Sequence, residues 1–394
     1  MKQQHIAVTT FFVNFIFFGA AVILVGAAVP EILRTFSWRY TDMGIVLAAG
    51  SIGYFCSTFL CGILLRSWGP KLVIVIGLTV QAAGLAIFGQ SPSFAINLIA
   101  LVLIGLGEGG SEIVTNYCLV RIERDGRSNL MNFVHAAFTA GAILGPLVVG
   151  QLIARGLPWQ HAFLGLAASS LLMALAFSLL PFDELSPTSS EGTQDALGDL
   201  LRQPLLLLLT LVILLYVGVE IGTSNWIAEY FVGALGTSAA TGAYMVSLFW
   251  LGLLVGRLLV AALYRSDDQA KLLLISCIVS TLGLGLALVR PDPIWSAACF
   301  FLSGMGFSAV YPVVVVLAGR YFPRQQELAI AIISTGGGLG SFVFPFAMAS
   351  LADHWGIERA FWFYALIAAS MSATAAAAMW MTRRAVSRAA DELA

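Results

Sequence analysis

Twelve apolar segments, each of roughly 20 residues or more, follow one another along this chain. A helix rises about 1.5 Å per residue, so each segment can cross the roughly 30 Å hydrocarbon core of a bilayer. Only 10% of the residues are charged, against about 25% in soluble globular domains. The pattern predicts an all-α, polytopic membrane protein. Numbered in chain order, spans 1 to 12 are expected at 7–33, 41–65, 71–90, 93–120, 128–154, 159–181, 204–232, 238–264, 270–289, 293–320, 325–352 and 358–382.

One connection is much longer than the others. It covers residues 182–203 and is rich in Ser, Thr, Asp and Glu, a composition typical of a flexible linker. A short amphipathic helix is expected around Ala196 to Leu201. The linker predicts three parts: six spans in residues 1–181, the linker at 182–203, and six spans in residues 204–394.

The basic residues predict how the chain is oriented. With both termini and the linker in the cytoplasm, fourteen basic residues lie inside and five outside, as the positive-inside tendency requires. A bacterial inner membrane is the expected location, with the first apolar segment kept as span 1. The inside set is Lys2, Arg66, Lys71, Arg121, Arg124, Arg127, Arg202, Arg265, Lys271, Arg320, Arg324, Arg383, Arg384 and Arg388, and the outside set is Arg34, Arg39, Arg155, Arg290 and Arg359.

Several functional classes are disfavoured by composition and spacing. Net charge is −1 and the basic residues form short clusters, so no nucleic-acid partner is expected. The glycine runs that begin at Gly105 and Gly336 follow no predicted strand, which argues against a phosphate loop. No nucleophile–base set predicts an enzyme, and no cofactor is expected. The five cysteines lack metal-ligand spacing and are interpreted as small core residues: Cys56, Cys61, Cys118, Cys277 and Cys299.

Span 4 carries three polar residues at four-residue spacing, Glu108, Glu112 and Asn116. This spacing places them on one face of a helix. Acids at membrane depth are costly and by default mark an ion or substrate path. The two carboxyls are expected to titrate as a pair. The alternative is that they only join neighbouring helices by hydrogen bonds.

The two halves of the chain form an internal repeat. Shifting the second half by 199 residues superposes matching residues across six spans, which predicts a parallel repeat of two pseudo-symmetric bundles. The matching pairs are Gly19 with Gly218, Gly53 with Gly252, Arg66 with Arg265, Gly84 with Gly283, Gly105 with Gly304, Gly107 with Gly306, Arg121 with Arg320 and Pro146 with Pro345. This organisation resembles the major facilitator superfamily over nearly the whole chain.

Shorter motifs resemble one branch of that superfamily, the fucose-galactose-glucose:proton symporter family. Span 4 matches its E-x-x-x-N motif with Glu112 and Asn116. Span 5 reads N-x-x-H-x-x-F-x-x-G-A-x-x-G-P through Asn132, His135, Phe138, Gly141, Ala142, Gly145 and Pro146, and span 7 has Tyr216, Val217, Gly218 and Glu220 followed by Trp226 and Tyr230. The resemblance implies that Glu112 is the protonation site and Glu108 a helper. His135 is either a proton relay or a neutral structural histidine.

The resemblance also implies that spans 1, 4, 7 and 10 line a central cavity. The polar residues on these spans are the candidate substrate contacts: Asn14, Asn116, Glu220, Ser224, Asn225, Trp226 and Tyr311. A sugar needs hydrogen-bond donors and acceptors at several angles and an aromatic ring against its C–H face. Trp226 is a candidate for that ring, with packing or interfacial anchoring as the alternative.

Two departures from the resembled pattern concern span 1 and the cytoplasmic gate. Gly26 stands where the symporter family has an acid, and Glu31 follows Pro30 either as a solvated end residue or as a coupling acid. Arg66 replaces the aspartate of the motif between spans 2 and 3, so the gate is expected to be altered. Arg257, inside span 8, either extends towards the interface or pairs with an acid at the inner gate.

The sequence therefore predicts a monomeric secondary transporter that imports a monosaccharide or similar polyol with protons by alternating access, in contact with membrane lipid. The first alternative is a proton-driven antiporter that exports a drug or metabolite. The second, from another class, is a membrane sensor that transports nothing or an intramembrane enzyme.

Overall fold

The computed structural model describes residues 2–122, 129–180, 198 and 200–391. Within these residues the fold is all-helical, and eleven helices are long and apolar enough to cross a membrane. Residues 182–197 and 199 of the predicted linker, which include half of its amphipathic helix, lie outside the described residues, as do Arg124 and Arg127 of the orientation argument. The helices are Lys2–Phe36, Tyr40–Ile87, Phe94–Ile122, Asn129–Ala154, Gln160–Leu179, Pro204–Glu229, Ala239–Leu263, Gln269–Val289, Pro293–Phe307, Val310–Tyr321, Gln326–Trp355 and Ile357–Asp391.

Spans 2 and 3 form one helical segment, Tyr40–Ile87, which is why eleven helices stand where twelve are predicted. Gly69 interrupts this segment with φ 73° and ψ 164°. Positive φ suits glycine, and the following Pro70 cannot donate a backbone hydrogen bond. A straight helix of 48 residues would be about 72 Å long, which is more than twice the hydrocarbon thickness. The segment therefore supplies two crossings, and they separate within the predicted break.

Spans 7 and 10 depart from a regular α-helix. Span 7 ends in a π-helical turn, Tyr230–Ala234. Span 10 consists of two helices, Pro293–Phe307 and Val310–Tyr321, and at their junction Ser308 Oγ donates to the Met305 carbonyl at 2.7 Å. Such irregular turns are common at functional sites.

The chain divides into two compact units whose boundary passes through spans 7 and 8. The first unit contains Met1–Ser190, Asn225–Val232 and Thr237–Ser247. The second contains Glu191–Ser224, Gly233–Gly236 and Leu248–Ala394. Both statements apply to the described residues of these ranges. The predicted division at the linker stays a prediction.

In the first unit, span 4 packs closely against spans 2 and 3 through glycines. A Cβ on Gly105 would overlap the carbonyl oxygen of Gly50. A Cβ on Gly84 would lie 2.7 Å from the carbonyl oxygen of Ala100 and 2.8 Å from the backbone nitrogen of Ile104. Small residues permit this approach of helix backbones in a membrane.

The second unit repeats these contacts 199 residues further along the chain. A Cβ on Gly304 would overlap the Phe249 carbonyl oxygen, as Gly105 does with Gly50. A Cβ on Gly283 would lie 2.5 Å from the Ser303 nitrogen, as Gly84 does near Ile104. The packing therefore confirms the repeat predicted from the sequence.

The core interpretation holds for four of the five cysteines. Cys61, Cys118, Cys277 and Cys299 are buried, but Cys56 is exposed and the prediction for it is wrong. Cys56 lies between Phe55, which is also exposed, and the buried Ser57. Phe55 and Cys56 therefore lie on a side of span 2 that points away from the core, whereas Ser57 points towards it.

Candidate functional site

The two acids of span 4 have different surroundings. The Tyr54 hydroxyl of span 2 donates to Glu112 Oε2 at 2.5 Å. Glu108 Oε1 is buried and has no hydrogen-bond partner among the described residues. Glu112 also acts electrostatically on Glu108. The structure therefore brings the predicted acids together and adds Tyr54, which the sequence analysis did not select.

Glycines on span 4 explain how Tyr54 reaches Glu112. A Cβ on Gly109 would lie 2.6 Å from the carbonyl oxygen of Tyr54, and a Cβ on Gly105 would lie 2.8 Å from its backbone nitrogen. The two helix backbones are thus close enough for the phenol to meet the carboxylate. The signal that could have found Tyr54 is its position directly after Gly53. Gly53 is one of the glycines matched in the repeat, where its partner is Gly252.

Asn116 and His135 are also neighbours, as the combined motifs of spans 4 and 5 suggest. His135 Nε2 lies 3.2 Å from Asn116 Oδ1. The Phe15 ring meets the imidazole edge-on, with centroids 5.3 Å apart. An amide oxygen and an apolar ring suit both alternatives for His135, a relay and a structural histidine. The side chain of Asn132 lies outside the described residues.

Asn14 connects span 1 to the acidic helix. Its side chain is 1% exposed, and Nδ2 donates to Ser111 Oγ at 2.8 Å. Ser111 directly precedes Glu112 and belongs to the same unit as Asn14. The predicted substrate contact Asn14 therefore has a protein partner, Ser111, that the sequence analysis missed.

Glu220 is the centre of a second polar cluster, in the second unit. The Tyr216 hydroxyl donates to Glu220 Oε1 at 2.6 Å, and Arg257 acts electrostatically on both residues. A cation near a buried carboxylate offsets part of its desolvation cost. Of the two alternatives for Arg257, its electrostatic influence on Glu220 favours the one that involves an acid.

Two other candidate contacts of the second unit have protein partners. Trp250 Nε1 donates to Ser224 Oγ at 2.8 Å. The Tyr311 hydroxyl lies 3.2 Å from Ser334 Oγ, and Tyr311 is 36% exposed. The hydroxyls of Ser224 and Tyr311 are thus each held in place by a partner within the second unit. Their remaining capacity to donate or accept hydrogen bonds is therefore preorganised.

Trp226 is fully buried, in the first unit. Its ring meets that of Tyr40 edge-on with centroids 5.9 Å apart, and Trp226 Nε1 has no hydrogen-bond partner among the described residues. The Tyr40 hydroxyl donates to Glu229 Oε1 at 3.0 Å. Glu229 was missed, although it is a second acid in span 7, followed by the π turn.

The structure distributes the span 7 candidates over both units. Glu220 and Ser224 belong to the second unit, whereas Asn225 and Trp226 belong to the first. Asn225 is 7% exposed. The four candidate contacts of span 7 therefore belong to different units although they lie on one helix.

The remaining candidates lie at helix ends. Arg66 is exposed, three residues before Gly69. Glu31 forms an ion pair with Arg34 at 2.5 Å, with 12% of the Glu31 side chain exposed. The ion pair favours an end residue of span 1 over a coupling acid, but the side chain is more buried than the predicted solvated one.

The described residues contain no group of three or more His, Cys, Asp and Glu side chains that could hold a metal ion. The polar groups of the candidate residues include carboxyls, phenols, amides, a serine hydroxyl, an imidazole and guanidinium groups. Such groups can exchange protons and donate or accept hydrogen bonds from a polyhydroxylated molecule.

Sequence comparison shows that the chain is similar to known transporters. The model of the Major Facilitator Superfamily matches residues 10–297 and 223–393. A glucose/mannose transporter of Bacillus subtilis is 22% identical over 363 residues, covering 86% of this chain and 88% of the relative. A glucose/galactose transporter of Brucella abortus is 26% identical over 382 residues, covering 91% of each chain.

Solved structures share the fold. A variant of the nucleoside transporter NupG superposes with a TM-score of 0.81 at 14% identity, covering 95% of this chain and 99% of that one. A bacterial homologue of the human lysosomal transporter Spinster has a TM-score of 0.77 at 13% identity, covering 96% and 97%. The chain belongs to the major facilitator superfamily and is a multi-pass membrane transporter.

Proposed function

We propose that the protein is a symporter that moves a monosaccharide or similar polyol together with protons, by alternating access. One observation carries this proposal: two carboxyls, Glu108 and Glu112, face the same side of a membrane-spanning helix, and Glu108 Oε1 is buried without a partner in the described part of the chain. Buried acids of this kind by default mark an ion or substrate path. The two sugar-transporting relatives support the choice of substrate.

Coupling is assigned to the acidic pair. Two carboxyls one helical turn apart in an apolar setting do not both carry charge at low cost, so the pair holds a proton that can be exchanged. A transporter couples such a proton to its substrate if the affinity for one depends on the presence of the other. His135, which contacts Asn116 on the polar face of span 4, is the proposed relay.

Sugar binding is assigned to residues on spans 1, 4, 7 and 10. Glu220 accepts a hydrogen bond from Tyr216 and is under the electrostatic influence of Arg257, so an oriented acceptor lies near a donor. A sugar presents hydroxyls that both donate and accept, so this combination suits it. The other proposed contacts are Asn14, Asn116, Ser224, Asn225, Trp226 and Tyr311, while Arg66 and Arg257 are proposed to influence gating.

The proposed location is a bacterial inner membrane with both termini and residues 182–203 in the cytoplasm, because the basic residues favour that side. Single cysteines at Ser189 and Ser387, introduced with Cys56 replaced, should resist an impermeant thiol reagent in intact cells. They should react after permeabilisation. Labelling from outside would overturn this orientation.

The substrate proposal is tested by a thermal-shift screen of the purified protein against hexoses, polyols, nucleosides, organic acids and drugs. Uptake of each stabilising compound is then measured in proteoliposomes with and without an inwardly directed pH gradient. We expect a hexose to raise Tm and to accumulate only with the gradient. Stabilisation by drugs alone, with proton-driven efflux, would favour the antiporter.

A further inference from the structure

The acidic pair of span 4 is asymmetric, and the asymmetry bears on which carboxyl holds the proton. Glu112 Oε2 accepts a hydrogen bond from Tyr54, whereas Glu108 Oε1 is buried with no partner among the described residues. The two side chains are one turn apart on the same helical face. Other titratable groups nearby are His135, which contacts Asn116, and Cys61, which packs at Gly110.

Hydrogen bonding treats the two acids differently. A phenol donates a stronger hydrogen bond to an ionised carboxylate than to a neutral acid, because the bond is then charge-assisted. An ionised oxygen that is buried without any donor carries its desolvation cost uncompensated. The negative charge of the pair is therefore better placed on Glu112 than on Glu108.

The proximity of the helices makes this arrangement specific to Tyr54. A Cβ on Gly109 would lie only 2.6 Å from the Tyr54 carbonyl oxygen, so the two helix backbones are in close contact where the phenol reaches Glu112. The donor is thus built into the contact between spans 2 and 4.

We infer that Tyr54 is a positioning residue that keeps Glu112 ionised, so that the exchangeable proton of the pair resides on Glu108. The inference rests on the proposed coupling by this pair and deepens it. It reverses the ranking implied by the E-x-x-x-N spacing, in which Glu112 is the protonation site and Glu108 the helper.

Infrared difference spectroscopy of the purified full-length protein tests the inference without sugar or transport. The readout is the C=O stretching band of a protonated carboxyl. The spectra of wild type and variant are compared at one pH, so that the contributions of Glu220 and Glu229 cancel in the difference. We expect Glu108→Gln to lose one carboxyl band. Glu112→Gln should keep that band.

Tyr54→Phe provides the decisive combination. In the double variant Tyr54→Phe and Glu108→Gln, Glu112 has lost its donor and should take up the proton, so that a carboxyl band returns. Tyr311→Phe is the matched control, because that phenol contacts Ser334. Combined with Glu108→Gln, it should leave the spectrum as in Glu108→Gln alone.

Three results would overturn the inference. In the first, the band is lost in Glu112→Gln and kept in Glu108→Gln. In the second, it is unchanged in both single variants. In the third, the double variant Tyr54→Phe and Glu108→Gln does not regain the band. Because none of these spectra involves sugar, they are independent of the substrate screen. A protein that binds no sugar can still satisfy the inference, and a confirmed sugar symporter can still refute it.

Discussion

The acidic pair of span 4 and Glu220 of span 7 are both buried carboxyl sites, but their electrostatic neighbours are opposite in sign. The charge that acts on Glu108 is that of Glu112, whereas the charge that acts on Glu220 is that of Arg257. A neighbouring cation favours a permanent carboxylate, while a neighbouring carboxylate favours holding a proton. The first site is therefore suited to proton exchange, whereas Arg257 favours the charged form of Glu220 and burial opposes it.

The two sites also obtain their phenol in different ways. Tyr216 is one turn before Glu220 on the same helix, so helical spacing alone brings the donor to the acid. Tyr54 comes from another helix and reaches Glu112 through the close packing at Gly105 and Gly109. Changes in helix packing should therefore disturb the acidic pair of span 4 more than the Glu220 site.

The largest expected effect follows from removing the cation. Arg257→Met removes the cation that acts on Glu220, and leaving a buried charge uncompensated costs about 3 kcal/mol. We expect a strongly lowered Tm and folded yield, measured by thermal unfolding and size-exclusion chromatography. Adding Glu220→Gln should recover much of the loss. A variant with unchanged Tm would show that Arg257 does not compensate Glu220.

Substituting the repeat-equivalent glycines Gly105 and Gly304 distinguishes an effect on packing from an effect on proton exchange. Gly105→Ala and Gly304→Ala each introduce a Cβ that overlaps a backbone carbonyl, and such overpacking costs about 2 kcal/mol. Both should lower Tm to a similar extent. Only Gly105→Ala should alter the infrared carboxyl band, because Gly105 lies against Tyr54. An altered band in Gly304→Ala would remove the distinction.

A smaller effect is expected for sugar affinity. Glu220→Gln should weaken binding of the sugar identified by screening about tenfold, which corresponds to about 1.4 kcal/mol. The reason is that an amide replaces a charged acceptor. Isothermal titration calorimetry gives the dissociation constant, with Glu229→Gln as a matched control in the same span. Equal affinity of wild type and Glu220→Gln would place the sugar elsewhere.

The smallest effect concerns the Tyr40–Glu229 hydrogen bond of the first unit. Tyr40→Phe and Glu229→Gln should each destabilise the protein by about 1 kcal/mol, a typical net value for one hydrogen bond. The double variant should unfold at nearly the same temperature as the less stable single variant, since both changes remove one interaction. Additive losses in Tm would mean that the residues act independently.

Much of the fold can be predicted from the sequence, because hydrophobic length and glycine spacing are local properties. The offset of 199 residues that aligns Gly105 with Gly304 recurs in their packing. The merging of spans 2 and 3 could not be predicted, since Gly69 and Pro70 mark a break without fixing whether the helix resumes at once.

The site could be predicted only where its members share a helix or a motif. Glu108, Glu112 and Asn116 are identified by their spacing. Tyr54 and Arg257 acquire their roles through contacts between helices that are far apart in sequence, which periodicity does not contain. Trp226 shows the converse, because a suitable ring for a sugar is also a suitable core residue, and here it is fully buried.

The central claim, that the acidic pair couples proton movement to substrate movement, is tested most directly in proteoliposomes carrying the double variant Glu108→Gln and Glu112→Gln. Counterflow exchanges labelled for unlabelled substrate and needs no proton release, whereas accumulation driven by a pH gradient does. With the substrate identified by screening, wild type should show both activities. The double variant should retain counterflow and lose accumulation. Accumulation at the wild-type level in the double variant would contradict the account.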